Sequence, residues 1–147
     1  MKRRHILLAG VLAVAIAYAP GASASGATVE LHPAEGIYGF SFLVNSAGFT
    51  VYEFSKDHMR DKCQRIRGCT TVWPPLMVTE PPTAGPGVEQ SLLGTVELRH
   101  HGGMQVTYAG HPLYTHPEDP GPGEIYYFGV KEFRGFWYGL TAAGQKI

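Results

Sequence analysis

Gly110-His111-Pro112-Leu113-Tyr114-Thr115-His116-Pro117-Glu118-Asp119 decides the architecture, because the chain contains this pattern twice. Gly48-Phe49-Thr50-Val51-Tyr52-Glu53-Phe54-Ser55-Lys56-Asp57 has the same spacing, G-x-x-[V/L]-Y-x-[F/H]-x-x-D, with Tyr52 lying 62 residues before Tyr114. The correspondence continues downstream, where Trp73-Pro74-Pro75-Leu76 and Trp137-Tyr138-Gly139-Leu140 both read W-x-x-L. Self-similarity of this kind outranks any local propensity, because it implies two related structural units. Within each copy, Tyr52 and Phe54, or Tyr114 and His116, are two apart and share one face of a strand. Val51 and Leu113 take the opposite face, so each strand expects cover on both sides. Asp57 and Asp119 fall where those strands must end. A short carboxylate there accepts hydrogen bonds from nearby backbone amides and fixes the turn. The competing reading makes them a pair of catalytic or metal-binding carboxylates. Repetition of the residue together with its folding element favours the turn.

These residues resemble the family of secreted repeat proteins and predicted lipoproteins with a Y-x-[F/W/Y]-x-x-D motif, over Phe40 to the C-terminus. That family has no established biochemical activity, so the resemblance implies an architecture and a compartment and assigns no chemistry. The expected fold is all-β: one small domain of two pseudo-symmetric antiparallel repeats, meander, sandwich or barrel-like, with short loops. Residues 40–77 form the first repeat, 78–90 a Pro-rich linker and 91–147 the second repeat. Tyr52, Phe54, Asp57, Trp73, Tyr114, His116, Asp119 and Trp137 are its framework.

Residues 1–24 read as a signal peptide: Lys2, Arg3 and Arg4, a short apolar run from Ile6 to Tyr18, then the small-x-small Ala22-Ser23-Ala24. Thirteen apolar residues are too few to span a bilayer. With the first cysteine at Cys63, no lipid anchor is expected, which departs from the lipoprotein members of the family. The expected product is soluble and periplasmic or secreted, with residues 25–39 an extended arm. Removing 24 of 147 residues leaves 123, enough for one domain. Removal of three basic residues turns 12 basic against 12 acidic into 9 against 12, a net −3. That charge gives no reason to expect nucleic acid or an anionic membrane as partner. With 19 Gly and 11 Pro, short strands and tight turns are expected in place of a helical bundle.

Several local features follow. Taking Ala47-Gly48 as a loop sets Val44 against Val51, and the same offset sets Val106 against Leu113 across Ala109-Gly110. Asp57 to Gly68 reads as an ordered loop with at most one helical turn. It carries Cys63, and Cys69 follows; two thiols in an exported chain pair, and C-x5-C fits neither a zinc nor a redox dithiol. A disulfide therefore requires the loop to turn back, with Gly68 the place for it. Trp73 and Trp137 are read as core plugs. A three-residue loop, His101 to Gly103, sets Leu98 against Val106, Val96 against Tyr108 and His100 against Met104. Ile125 to Phe128 and Phe136 to Tyr138 read as further strands, with Ala143-Gly144 a final turn.

No nucleophile motif, phosphate loop or metalloprotease pattern is present. The sequence therefore points to a non-catalytic exported module that binds a partner or cell-envelope component. Two alternatives remain open. One is a periplasmic metal or redox-cofactor binder, with His100, Met104 and His101 offering imidazole and thioether to copper or haem. The other is a carbohydrate-binding module stacking sugars on Trp73, Tyr126 and Tyr127. Outside that histidine corner no cofactor is expected.

Overall fold

The computed structural model describes residues 28–33, 39–57, 60–99 and 102–147. The leader, residues 1–24, lies outside them, as do His58, His100 and His101. Ten strands carry the described chain: β1 (Thr28–Pro33), β2 (Ser41–Asn45), β3 (Tyr52–Phe54), β4 (Met77–Val78), β5 (Thr83–Ala84), β6 (Leu93–Glu97), β7 (Met104–Tyr108), β8 (His111–Pro112), β9 (Val130–Glu132) and β10 (Gly135–Gly139). Helix is confined to short turns at Cys63–Arg65, Cys69–Val72 and Gln90–Leu92, so the all-β expectation holds.

Three small sheets result, in the orders β2-β1-β5, β3-β10-β9 and β4-β7-β6, with β8 added to β7. All pairings are antiparallel except β1 with β5. The arm at 25–39 thus supplies a strand, and the Pro-rich 78–90 segment supplies its parallel neighbour. The sheets join through the centre. Tyr52 and Tyr114 form an antiparallel bridge in which each backbone N–H donates to the other's carbonyl at 2.9 Å. Two apolar clusters fill the interior: one around Phe42, Tyr52, Phe54, Trp73, Tyr114 and Trp137, the other around Leu43, Val51, Val106, Tyr108, Leu113 and Leu140. The expected split of motif strand faces is realised, since Val51 and Tyr52 are both fully buried but belong to different clusters.

Three expected registers were tested by these pairings. Val106 does meet Leu113, whose N–H donates to its carbonyl at 2.9 Å. In the first copy Val44 bridges Thr50, one residue off the expected Val51. The cause is Asn45: its Oδ1 accepts the N–H groups of Ala47 and Phe49, widening the turn to Ser46–Gly48. The β6–β7 hairpin slips by three. Leu98 lies opposite Gly103, not Val106, and Met104 pairs with Glu97, not His100. β7 is covered on both sides, so an apolar and a polar face do not set its register. Gln105 is as fully buried as Val106, its amide donating to the Leu113 carbonyl at 2.8 Å.

Ile125 to Phe128 forms no strand; the partner of β10 is β9. Their two-residue loop places both Phe133 and Arg134 at positive φ, 51° and 63°, the geometry normally reserved for Asn-Gly pairs. Phe-Arg carries no such signal, so the hairpin is invisible in the sequence. The cysteine loop behaves as expected: Cys63 and Cys69 are bonded with Cα atoms 5.3 Å apart, and Gly68 at φ 81° reverses the chain between them.

Candidate functional site

The motif residues converge on one buried centre. Each strand's tyrosine points past its own turn to the other copy's carboxylate. The Tyr52 hydroxyl donates to Asp119 Oδ1 at 2.9 Å, and the Tyr114 hydroxyl lies 2.6 Å from Asp57 Oδ2. The Asp backbone closes the same turn in both places: Asp57 N–H donates to the Phe54 carbonyl at 2.8 Å, and Asp119 N–H to that of His116 at 3.2 Å. Asp57 Oδ1 also accepts the Lys62 N–H at 2.6 Å, which is the expected turn-fixing bond. Asp119 Oδ2, by contrast, has no hydrogen-bond partner among the described residues.

Above the tyrosines, Trp73 and Trp137 stack face to face, ring centres 3.8 Å apart and 3° from parallel. Tyr52 meets the edge of Trp73 at 5.3 Å and Tyr114 that of Trp137 at 5.1 Å. Phe54 stacks on Trp137 at 4.4 Å, and His116 packs on Trp73 at 4.6 Å. Both indoles are fully buried, so Trp73 is a core plug and offers no surface to a sugar. Its Nε1–H donates to Glu132 at 2.7 Å. His116 is buried too, sandwiched by Tyr127 with ring centres 3.6 Å apart. Its Nδ1 accepts the Glu118 N–H at 3.2 Å, and burial lowers its pKa from the ordinary value, so the ring is a neutral aromatic filler.

The electrostatics of this centre follow from burial. Desolvation pushes the Asp57 carboxyl up to about 7, against the opposing hydrogen bonds from Tyr114 and Lys62 and with help from the charges of Asp61 and Glu53. Asp119 is pushed up to about 6 by the same desolvation. Burial, then the adjacent carboxylates, raise both tyrosine hydroxyls, which stay protonated. One contact makes the proton count explicit. Asp61 Oδ1 also lies 2.8 Å from the Tyr114 hydroxyl, so two carboxylates face a group with a single hydrogen. Both short contacts are attractive only if one carboxyl carries a proton, and the raised Asp57 is the one to hold it. The chain of donation then runs from Asp57 to Tyr114 to Asp61.

The fourth buried carboxylate is Glu53, on the opposite strand face from Tyr52. It is fully buried and ion-pairs with Lys146 Nζ at 2.8 Å and His111 Nδ1 at 3.0 Å, which supply the partners its oxygens otherwise lack. The sequence reading passed over it, since only a lone Glu inside an apolar run marks it.

Outside the core, a cleft of about 440 Å³ opens between the disulfide loop and the end of β6, lined by Arg60, Asp61, Gln64, Arg65, Val96, Glu97 and Arg99. None of these was singled out in the sequence, because the arginines come from separate segments. The loop side is held rigid: Asp61 accepts from the Gln64 N–H and side-chain amide, both at 2.9 Å, and Cys63–Cys69 closes the turn behind it. Arg60, Arg65 and Arg99 form no ion pair among the described residues. Met104, expected to share a corner with His100, faces Glu97 instead, while His100 and His101 lie outside the described residues. Among the described residues no three His, Cys, Asp or Glu side chains converge as a metal-ligand group would. No helix among them is long and apolar enough to cross a membrane. Comparison of the chain with protein-family models, curated proteins and solved structures finds no match in any of the three.

Proposed function

We propose that this chain is an exported, non-catalytic module that binds a cell-envelope component, with its two motif segments acting as equivalent halves of one framework. The observation that carries the reading is where the singled-out side chains go. Tyr52, Asp57, Trp73, Tyr114, Asp119 and Trp137 are all buried and spend their hydrogen bonds and ring faces largely on one another. A nucleophile or general base must reach a substrate, whereas these groups serve the fold and leave recognition to the loops around it. The exchanged Tyr–Asp bonds and the matching Asp turns support the equivalence of the halves. The Cys63–Cys69 bond suits an oxidising compartment, and the leader-like first 24 residues suit export.

The test mixes purified protein, beginning at Ser25, with washed envelope fragments and measures co-sedimentation against a salt series. Saturable binding supports the reading, and its absence refutes it. Mass spectrometry of the exported protein should give an N-terminus near Ser25 and no acyl group; an intact Met1 would remove export from the proposal.

A further inference from the structure

Three of the nine basic residues downstream of Ala24 line one cleft on a chain whose net charge there is −3. Arg60 and Arg65 come from either side of Cys63, Arg99 from beyond β6, so separate segments bring like charges together. Such an arrangement repels itself unless something negative sits between. The two acids in the lining do not fill that role. Asp61 has its oxygens committed to Gln64 and Tyr114, and neither it nor Glu97 ion-pairs with any of the three. We infer that the cleft binds an oxyanion, phosphate or carboxylate, carried on a polyhydroxylated body: an anionic saccharide. This rests on the envelope-binding reading and names its ligand class.

Each part of the ligand answers a part of the cleft. Guanidinium groups present paired N–H donors that match phosphate and carboxylate oxygens two at a time. The Gln64 amide oxygen and the Glu97 carboxylate supply acceptors for hydroxyl groups beside the anion. Val96 is the sole aliphatic residue in the lining, so an apolar ligand gains little there. The volume lies within the roughly 300–1,000 Å³ of small-molecule sites. Rigidity matters as well. Arg60 and Arg65 flank Lys62, whose N–H is tied to Asp57, and Cys63, which is bonded to Cys69. The backbone that carries Arg65 therefore has little freedom left to lose on binding.

Calorimetric titration of the full mature protein at low ionic strength tests this, using glucose 6-phosphate, glucuronate, glucose and inorganic phosphate. At least one of the two anionic sugars should bind ten-fold or more tighter than either glucose or phosphate, and which of them does so separates a phosphate source from a carboxylate source. Binding should weaken with added salt. The Arg65→Ala, Arg99→Ala variant should lose at least ten-fold in affinity while its urea midpoint stays unchanged, since both side chains are exposed. Arg65→Lys, Arg99→Lys should lose less. Equal binding of glucose, an unaffected alanine variant, or no binding of either anionic sugar overturns the inference. If the sugars fail while wild type and alanine variant sediment equally with envelope fragments, the cleft assignment alone falls. If sedimentation is absent too, the envelope reading falls with it.

Discussion

Replacing Asp57 by Asn should make the protein more stable at alkaline pH, although it removes a buried charged group. Asn keeps an oxygen for the Lys62 N–H, and its amide nitrogen can donate to the Tyr114 oxygen, freeing the Tyr114 hydrogen for Asp61. It therefore mimics the protonated form of Asp57. The sign follows from linkage. The folded carboxyl sits at about 7 and the unfolded one near 3.8, so the folded state holds the extra proton between those values. Its stabilisation is complete below the unfolded value and disappears as pH rises through about 7. Between pH 5 and pH 8 the wild type should lose about 2–3 kcal/mol through this one group, at 1.36 kcal/mol per pH unit over the part of that range below 7.

Asp119, raised to about 6, adds a smaller loss of the same sign over the lower part of the range. His116 acts in the opposite direction: its lowered pKa withdraws stability as pH falls below its ordinary 6.5. Both contributions are common to wild type and variant and cancel in their difference. Urea unfolding followed by fluorescence of the two buried tryptophans, at pH 5 and pH 8, isolates the Asp57 term. The stability of Asp57→Asn relative to wild type should rise by about 2–3 kcal/mol from the lower to the higher pH. Asp57→Ala, which leaves the Lys62 N–H without its acceptor, should be destabilised by roughly 1–2 kcal/mol at pH 5. A difference between Asn and Asp that does not change with pH would show that Asp57 is ionised throughout, and the proton chain would be wrong.

Glu53 is expected to show an asymmetry between its two sides. Removing both partners, as Lys146→Ala with His111→Ala, strands a fully buried carboxylate and should cost about 3–5 kcal/mol. Glu53→Gln leaves two partly exposed partners, Lys146 and His111, that water can solvate, so its loss in a urea midpoint series should be clearly smaller. Gly135→Ala drives a methyl into the Phe54 ring, which Trp137 holds from behind, and should cost about 1–3 kcal/mol or abolish soluble expression. Gly68→Ala meets no neighbour and should cost only about 1 kcal/mol for its left-handed backbone. Cys63→Ser with Cys69→Ser should lower unfolding free energy by roughly 2–2.5 kcal/mol, and two titratable thiols in the native wild type would contradict the bond.

Much of the framework was legible because its signals are local or repeated. The doubled spacing located Tyr52, Asp57, Tyr114 and Asp119, and the strand period assigned Val51 and Tyr52 to opposite faces. Export logic paired the cysteines. Registers were less legible, because each depends on one turn. Asn45 widened the first hairpin by a single residue through its side chain, and Phe133–Arg134 formed a turn that sequence statistics assign to glycine. In the β6–β7 hairpin the polar Gln105 pointed inward to a carbonyl that only the assembled fold supplies. The cleft was the least legible feature. Arg60 and Arg99 are 39 positions apart, and nothing in either segment announces the other.

The buried Tyr–Asp contacts cross between the two motif segments and tie them together. A single segment would bury a tyrosine hydroxyl and a carboxylate that cannot reach each other, since Tyr52 bonds Asp119 and Tyr114 bonds Asp57. Each unpaired group would cost about 1–3 kcal/mol, comparable to the entire margin of a domain half this size. The indole stack adds the same constraint, because Trp73 and Trp137 cover each other. The two segments differ most after their aspartates. After Asp119 the chain runs through Pro120 to Gly123 and makes only turns. After Asp57 it runs into a disulfide-closed loop, and Asp61 just before that loop reaches inward to Tyr114 while Arg60 and Arg65 line the cleft. Asp61 thus stands between the buried Tyr114–Asp57 contact on one side and the arginine-lined cleft on the other.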